Sequence, residues 1–262
     1  MKKWSICFFI SVLTMYMAAF TADAASRQAQ PSTVVDITKE NTYPNPTQDL
    51  PHLEPSKFTK QLLDSANVKI ENPELIHLLN ESSVSSTPFA LGYRATIYLG
   101  QWPLNYQSLE TSTNWEYQKV NTNFLDNRGG NVSQKLYYKQ ETQKHVRGGL
   151  TAQIPNEEAV QKMMLNKAME KTNLPLAFST VVGIGTKKDQ PYQVPAKKIG
   201  YLYAYAPAVN EKGKVTYGEV YIVLKGNKKK IVVKNVTTRG VGAWIPVQDR
   251  LYFSYIVSEQ PR

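Results

Sequence analysis

The sequence predicts an α+β protein in which a largely antiparallel β-sheet packs against one well-defined helix, with short helices ahead of it. From Phe89 onward most of the chain consists of runs rich in β-branched and aromatic residues, punctuated by Gly, Asn and Asp. Residues 155–175 alone combine helical spacing with acidic residues at the start and lysines at the end, as the helix dipole favours. No stretch recurs with a period of 20–50 residues, so a solenoid or propeller is excluded.

The chain opens with the parts of a secretory signal. Lys2 and Lys3 form a basic start, Ile6 to Phe20 an apolar run, and Ala22-Asp23-Ala24 a small-x-small cleavage pattern. The run is shorter than the ~20 residues that span a bilayer comfortably. Cleavage near Ala24 is expected, placing the protein outside the cell or on the outer face of its envelope; an uncleaved amino-terminal anchor is the alternative. Cys7, the one cysteine, lies inside this segment and far from the cleavage point where a lipoprotein needs it. The mature chain therefore has no thiol and no disulfide, as is common among the exported proteins of Gram-positive bacteria.

Residues 25–55 read as a proline-rich tether, carrying Pro31, Pro44, Pro46, Pro51 and Pro55 with few large apolar side chains. Within it only "TVVDIT" could add an edge strand. A single domain is expected over 56–262. It starts with two short helices. In "PSKFTKQLLDSAN", Ser56 can cap and Phe58, Leu62 and Leu63 share a face. In "NPELIHLLNESS", Asn72 can cap and Pro73 suits the first turn. "FALGYRATIYLGQW", "TNWEYQKVNTNF" and "SQKLYYKQE" then read as three strands of an antiparallel meander, with "LDNRGGN" turning between the last two. The long helix follows, with Asn156 as cap, Glu157 and Glu158 in the first turn, a stripe through Val160, Met163, Met164, Lys167 and Ala168, and a stop at Asn173 and Pro175.

The remainder is β again: "LAFSTVVGIGT", "KIGYLYAYAPAV", "KVTYGEVYIVLKG", "KIVVKNVTTRG" and "DRLYFSYIVSE". Between Val215 and Val236 the pattern gives a hairpin turning at "KGNKKK". Gly218, Val220, Ile222 and Leu224 face one way on its first strand, and Tyr217, Glu219 and Tyr221 the other.

No catalytic or cofactor signature stands out. His52, His77 and His145 lie far apart and no HExxH occurs. There is no GxSxG elbow, and no SxxK follows the signal. "VVGIGTKK" has GxG but neither the GK[ST] ending nor a following helix, so it reads as strand, turn, strand. The expectation is a protein with no cofactor and no metal that is not an enzyme. The competing reading is a cell-wall hydrolase using two carboxylates, such as Glu116 and Asp126, with Glu110 and Glu141 as further candidates.

Two features suggest binding. The chain carries a formal net charge of +10, and loss of Lys2, Lys3 and Asp23 with the signal leaves +9. Lys225, Lys228, Lys229 and Lys230 crowd the hairpin tip with Lys234 beyond, and Lys187, Lys188, Lys197 and Lys198 occupy neighbouring loops. Outside a cell the partners for such a cluster are anionic wall polymers or membrane headgroups rather than nucleic acid. The plainer reading is a solvated turn whose lysines block edge pairing. Among the 16 tyrosines, Tyr201, Tyr203 and Tyr205 alternate onto one strand face, which Tyr217 and Tyr221 would extend. Such a face suits a sugar platform or a protein partner, and equally suits packing under a loop.

The overall layout of signal, proline-rich lead-in, Met-bearing helix and β-rich carboxy-terminal part resembles the YfkD-like family. So does "KNVTTRGVGAWIP" with Arg239, Gly240, Gly242 and Trp244. The resemblance implies a small exported or envelope protein of a Bacillus-type bacterium and carries over no active-site or binding residue. Read by itself, "TTRGVGAWIP" is a turn in which the glycines permit unusual φ, with Trp244 in the core or stacked under Arg239.

Overall fold

The computed structural model describes residues 33–46, 54–82, 94–226 and 228–262; the signal segment and His52 lie outside them. In chain order the elements are β1 (Val34–Asp36), α1 (Lys57–Asp64), α2 (Pro73–Glu81), β2 (Arg94–Asp126), β3 (Gln134–Lys139), β4 (Lys144–Arg147), β5 (Gly149–Leu150), α3 (Glu157–Thr172), β6 (Ser179–Val182), β7 (Lys187–Val194), β8 (Ile199–Lys225), β9 (Lys228–Pro246) and β10 (Arg250–Ser258). The α+β class is as the sequence predicts. The antiparallel frame is built differently from the expected meander.

β8 is the central strand. β2 runs antiparallel to it throughout, with Arg94 opposite Lys225 and Asp126 opposite Ile199. On its other edge β10 pairs with residues 199–205 and β9 with residues 208–225. β1 adds to β10, β5 adds to β9, and β3–β7 and β4–β6 form two separate pairs. The 33 residues of β2 and 27 of β8 far exceed the usual five or six. Two of the expected meander strands are therefore one strand, as are two of the later segments. Features that read as breaks, such as Gly100 and Pro103, are absorbed by bulges between Tyr98 and Gly100, Pro103 and Asn105, Ser108 and Glu110, Asn114 and Gln118, and Lys119 and Asn121. A bulge adds a residue without ending the ladder, so pattern reading sees a boundary where the chain only kinks.

The bulges also reverse which alternate residues face inward, and β8 consequently serves three cores in succession. Leu202, Ala204 and Ala206 meet Phe253, Tyr138 and Ile37. Val209, Val215 and Tyr217 meet Val160, Met163 and Met164 of α3. Val220 and Ile222 meet Leu62, Leu75 and Leu79 of α1 and α2. Tyr217 is thus core, on the inward side, and does not extend the face of Tyr201. The shift in register between Tyr217 and Glu219 opposite β9 breaks the alternation assumed from sequence.

The helices begin largely as expected. Ser56 accepts from the Thr59 N–H, and Asn72 accepts from Glu74 and Leu75 with Pro73 in the first turn. Asn72 also donates to the Pro103 carbonyl at 2.8 Å, tying α2 to β2. α3 departs from expectation. Asn156 sits in the left-handed region at φ +54° and makes no side-chain cap, while Asn173, also left-handed, ends the helix with its N–H on the Met169 carbonyl.

Two further expectations are corrected. Residues 33–46, read as part of a solvated tether but for an edge strand in "TVVDIT", pack on the domain: β1 is that edge strand and lies along β10, while beyond it Ile37 is buried and Asn41 and Asn45 each donate to both Asp249 and the Val181 carbonyl. "TTRGVGAWIP" is the second half of β9 and not a turn. Gly242 takes no positive φ; it lets Thr151 approach, since a Cβ there would stand 2.8 Å from the Thr151 Oγ1. Trp244 stacks on Tyr117 at 5.2 Å, and Arg239 lies over Tyr217 at 5.9 Å instead of over Trp244.

A basic groove as candidate functional site

The hairpin of β8 and β9 turns where expected, Lys225 pairing with Lys228 and Gly226 taking the left-handed φ of +56° that glycine tolerates best. Helix α1 is fastened to its flank. Ser65, at the end of α1, accepts from the Ile231 N–H at 3.0 Å. Asn67 accepts from the Val233 N–H at 2.9 Å and donates to the Val233 carbonyl at 3.2 Å. These contacts occupy backbone groups on the open edge of β9 that another chain could otherwise pair with.

Between α1 and the hairpin tip lies a groove of about 710 Å³. Lys225, Lys228, Lys229 and Lys230 line it from the hairpin; Phe58, Gln61 and Leu62 line it from α1, and Val223 from β8. The Lys229 ammonium stands 5.0 Å over the Phe58 ring. Arg94, exposed and opposite Lys225, extends the positive edge onto β2. Among the described residues no carboxylate comes within ion-pair distance of Lys225, Lys228 or Lys230. Among the described residues the lining holds four lysines, three apolar side chains and the Gln61 amide, with no carboxylate, imidazole or hydroxyl, a set suited to an anion.

Four of the five lysines singled out from sequence meet here. Lys234 does not: its ammonium lies 5.0 Å from the Tyr221 ring, opposite Glu219. The Glu219 carboxyl is held below its ordinary range, first by the Tyr221 hydroxyl, which donates at 2.8 Å, with Lys234 adding to the effect. The remaining lysines are elsewhere, and Lys187 and Lys188 lie in β7 and not in a loop. Lys198 precedes the opposite end of β8 and pairs with Glu259, and Lys188 pairs with Glu40 at 2.6 Å.

The tyrosines separate into four places. Tyr201 and Tyr203 are nearly parallel, 6.2 Å apart; Phe124 lies against Tyr201 and the Lys119 ammonium 5.3 Å over Tyr203. Tyr205 meets Tyr252 at 6.3 Å. Tyr217 is buried with its hydroxyl donating to the Pro155 carbonyl, and Tyr221 meets the exposed Tyr98 at 5.0 Å. Phe124, itself exposed, and Lys119 thus lie against the rings of Tyr201 and Tyr203.

Glu116 and Asp126, the pair named for a hydrolase, are kept apart. Asp126 closes β2 and pairs with Arg128 at 2.7 Å, which holds its carboxyl below the usual range. Glu116 is ten residues earlier on the same strand. At ~3.3 Å per residue, and allowing for bulges, they are roughly 25–33 Å apart, against the ~5–9.5 Å a glycosidase pair needs. Among the described residues no three His, Cys, Asp or Glu side chains come together as a metal site, and no helix is long and apolar enough to cross a membrane.

Sequence reading missed the apolar half of the groove. Phe58 and Leu62 carry only the signal of a short amphipathic helix, and nothing local links α1 to a hairpin far along the chain. It also missed a buried polar node. Glu211 is fully buried in β8, where it accepts from the Tyr106 hydroxyl at 2.8 Å and from Thr111 at 2.6 Å. Burial foremost, then the Glu211 charge, push the Tyr106 phenol well above its ordinary pKa.

The family model described as YfkD-like protein matches residues 31–262. "Uncharacterized protein YfkD" of Bacillus subtilis (strain 168) is 65% identical over 232 residues, covering 88% of each chain. Among solved structures, that of "Lamprey immune protein" aligns over 63% of this chain and 53% of its own at 8% identity; the TM-score of 0.25 is too low to carry an argument.

Proposed function

The chain belongs to the YfkD-like family, and we propose on that footing that it is an exported, non-enzymatic protein of the bacterial envelope that holds anionic surface material in the groove beside its basic hairpin. The observation carrying this reading is the convergence of four lysines on one groove whose lining, among the described residues, includes no carboxylate. The amino-terminal signal and the +9 balance of the mature chain support it. Clustered ammonium groups raise the local concentration of a polyanion, and each contributes about 1 kcal/mol near an anionic surface.

The test is co-sedimentation of residues 25–262 with envelope fractions at low and high salt, with walls stripped of anionic polymer and neutral vesicles as controls. Binding that weakens steeply with salt and drops about a hundredfold in Lys225→Gln/Lys228→Gln/Lys230→Gln supports the reading. Binding that ignores both salt and the triple substitution rejects it.

A further inference from the structure

The largest irregularity in β2 lies opposite Pro207. Asn114 pairs with Ala208 and Gln118 with Ala206, so Trp115, Glu116 and Tyr117 stand against one residue of β8. Proline has no N–H to give to the ladder, which favours a break in pairing at that point. Such bulges re-aim side chains and gather beside functional sites. Here they are aimed two ways. Tyr117 packs on the second core, stacks on Trp244 at 5.2 Å and donates to the Arg147 carbonyl at 3.2 Å. Trp115 and Glu116 instead line a cavity of about 390 Å³ with Thr113, Asn114 and Tyr252 of β10. The Glu116 N–H donates to the Asn114 Oδ1 at 3.0 Å, which braces the bulge. Tyr205 adjoins Tyr252, their rings 6.3 Å apart. Burial first, then the Glu116 charge, push the Tyr205 phenol above its ordinary pKa. Among the described residues Glu116 has no ion-pair partner.

The charges at this end of the sheet narrow what it can hold. Glu116 supplies one carboxylate, and Lys119, opposite Tyr205 and over the Tyr203 ring, supplies one ammonium. They balance, in a chain that carries +10. An indole and phenol rings offer apolar faces, with hydroxyl, amide and carboxylate groups beside them. A molecule that matches both has flat apolar faces, many hydroxyls and no charge, which describes a carbohydrate. Among the described residues the lining has one carboxylate, where cleaving a glycosidic bond ordinarily takes two. Its chemistry is therefore that of holding. We propose that the pocket between the bulge at 114–117 and Tyr252 binds a neutral saccharide, one sugar ring against Trp115 and Tyr252 and its hydroxyls on Glu116 and Asn114. The saccharide chain continues over Tyr205 and Tyr203. The volume lies at the small end of the ~300–1,000 Å³ usual for ligand pockets, so a longer chain runs out along the strands. The site stands apart from the basic groove and does not depend on the anion-binding reading.

The experiment titrates residues 25–262, which contain every described residue, with glucose, cellotetraose, N-acetylglucosamine and chitotetraose in a calorimeter at low and high salt. Mannitol, which has hydroxyls but no ring face, and tetramethylammonium, a cation for aromatic boxes, are the controls. At least one tetrasaccharide should bind about tenfold or more tightly than its monosaccharide, with an affinity indifferent to salt because no charge is matched. Trp115→Ala should weaken that binding about tenfold or more, as loss of a central aromatic anchor does. Trp115 belongs to none of the three cores, so the variant keeps its fold. Glu116→Gln, an exposed position of unchanged shape, should weaken it several-fold. Failure of both tetrasaccharides to bind would overturn the proposal, as would binding that survives Trp115→Ala and Glu116→Gln unchanged. Tetramethylammonium bound more tightly than either tetrasaccharide, and lost in Glu116→Gln, would make the pocket a cation site and also reject it. None of these results bears on salt-sensitive binding of envelope polyanions at the hairpin.

Discussion

Replacing Tyr106 by Phe removes one oxygen and almost no apolar contact, which makes it a clean probe of the buried Glu211. That carboxylate is fully enclosed and draws its two donors from β2: the Tyr106 hydroxyl at 2.8 Å and the Thr111 hydroxyl at 2.6 Å. A hydrogen bond to a charged group is worth about 1.5–3 kcal/mol, and an enclosed acceptor left unpaired incurs most of that. Tyr106→Phe should therefore destabilise by about 2 kcal/mol, which for a chain of this size is a fall of roughly 4–8 °C in Tm. Thr111→Val should cost a similar amount. The double variant should depart from the sum by at least about 0.5 kcal/mol, because both hydroxyls serve the same carboxyl group. Urea unfolding at pH 7, read by circular dichroism, measures all three. A Tyr106→Phe protein within about 0.5 kcal/mol of the parent, or strictly additive singles, would refute the view that this carboxylate depends on the two hydroxyls.

Gly213 adjoins the same node, and a Cβ there would lie 2.2 Å from the Gln107 carbonyl and 2.5 Å from the Tyr106 hydroxyl; Gly213→Ala should cost about 2–3 kcal/mol, and a neutral result in the same melts would contradict the packing. Burial raises the phenol pKa of both Tyr106 and Tyr138 above the ordinary 10. Their contribution is then whole below about pH 10 and lost above it, by about 1.4 kcal/mol per pH unit for each retained proton. Tyr138→Phe should make unfolding measurably less sensitive between pH 10 and 11, and an unchanged slope would count against it. Asn72→Ala removes both a cap and the tie to Pro103, and should cost about 2 kcal/mol, whereas Asn156→Ala, which removes no cap bond, should cost about 1 kcal/mol, because alanine tolerates the left-handed φ of +54° less well than asparagine.

Local chemistry was easiest to read where it was self-sufficient. The caps at Ser56 and Asn72, the body of α3 and the lysine-tipped hairpin are each decided by a few neighbouring residues, and the structure has them. β2 and β8 were divided because Gly100, Pro103 and the polar "NEKG" within β8 resemble ends of strands. Only the partner strand shows that they are bulges or continuous ladder. The same blindness put Tyr217 on the wrong face and made a turn of Gly240 and Gly242. For the groove, the cations were legible because they are adjacent in sequence. Its apolar floor was not, since Phe58 and Val223 meet only through tertiary packing.

The place of β8 in all three cores has a consequence for how the protein comes into being. Synthesis delivers β2 first, with an open ladder of hydrogen-bonding groups, and its partner follows only after β3 to β7 and α3 have emerged. Until residues 199–225 appear, none of the three cores can close, so every stabilising assembly waits on one late segment. Chains dominated by such distant pairings fold slowly, and here no early portion has a core to fold around. A nascent chain of this kind must postpone the closing of its cores until most of its length has been made.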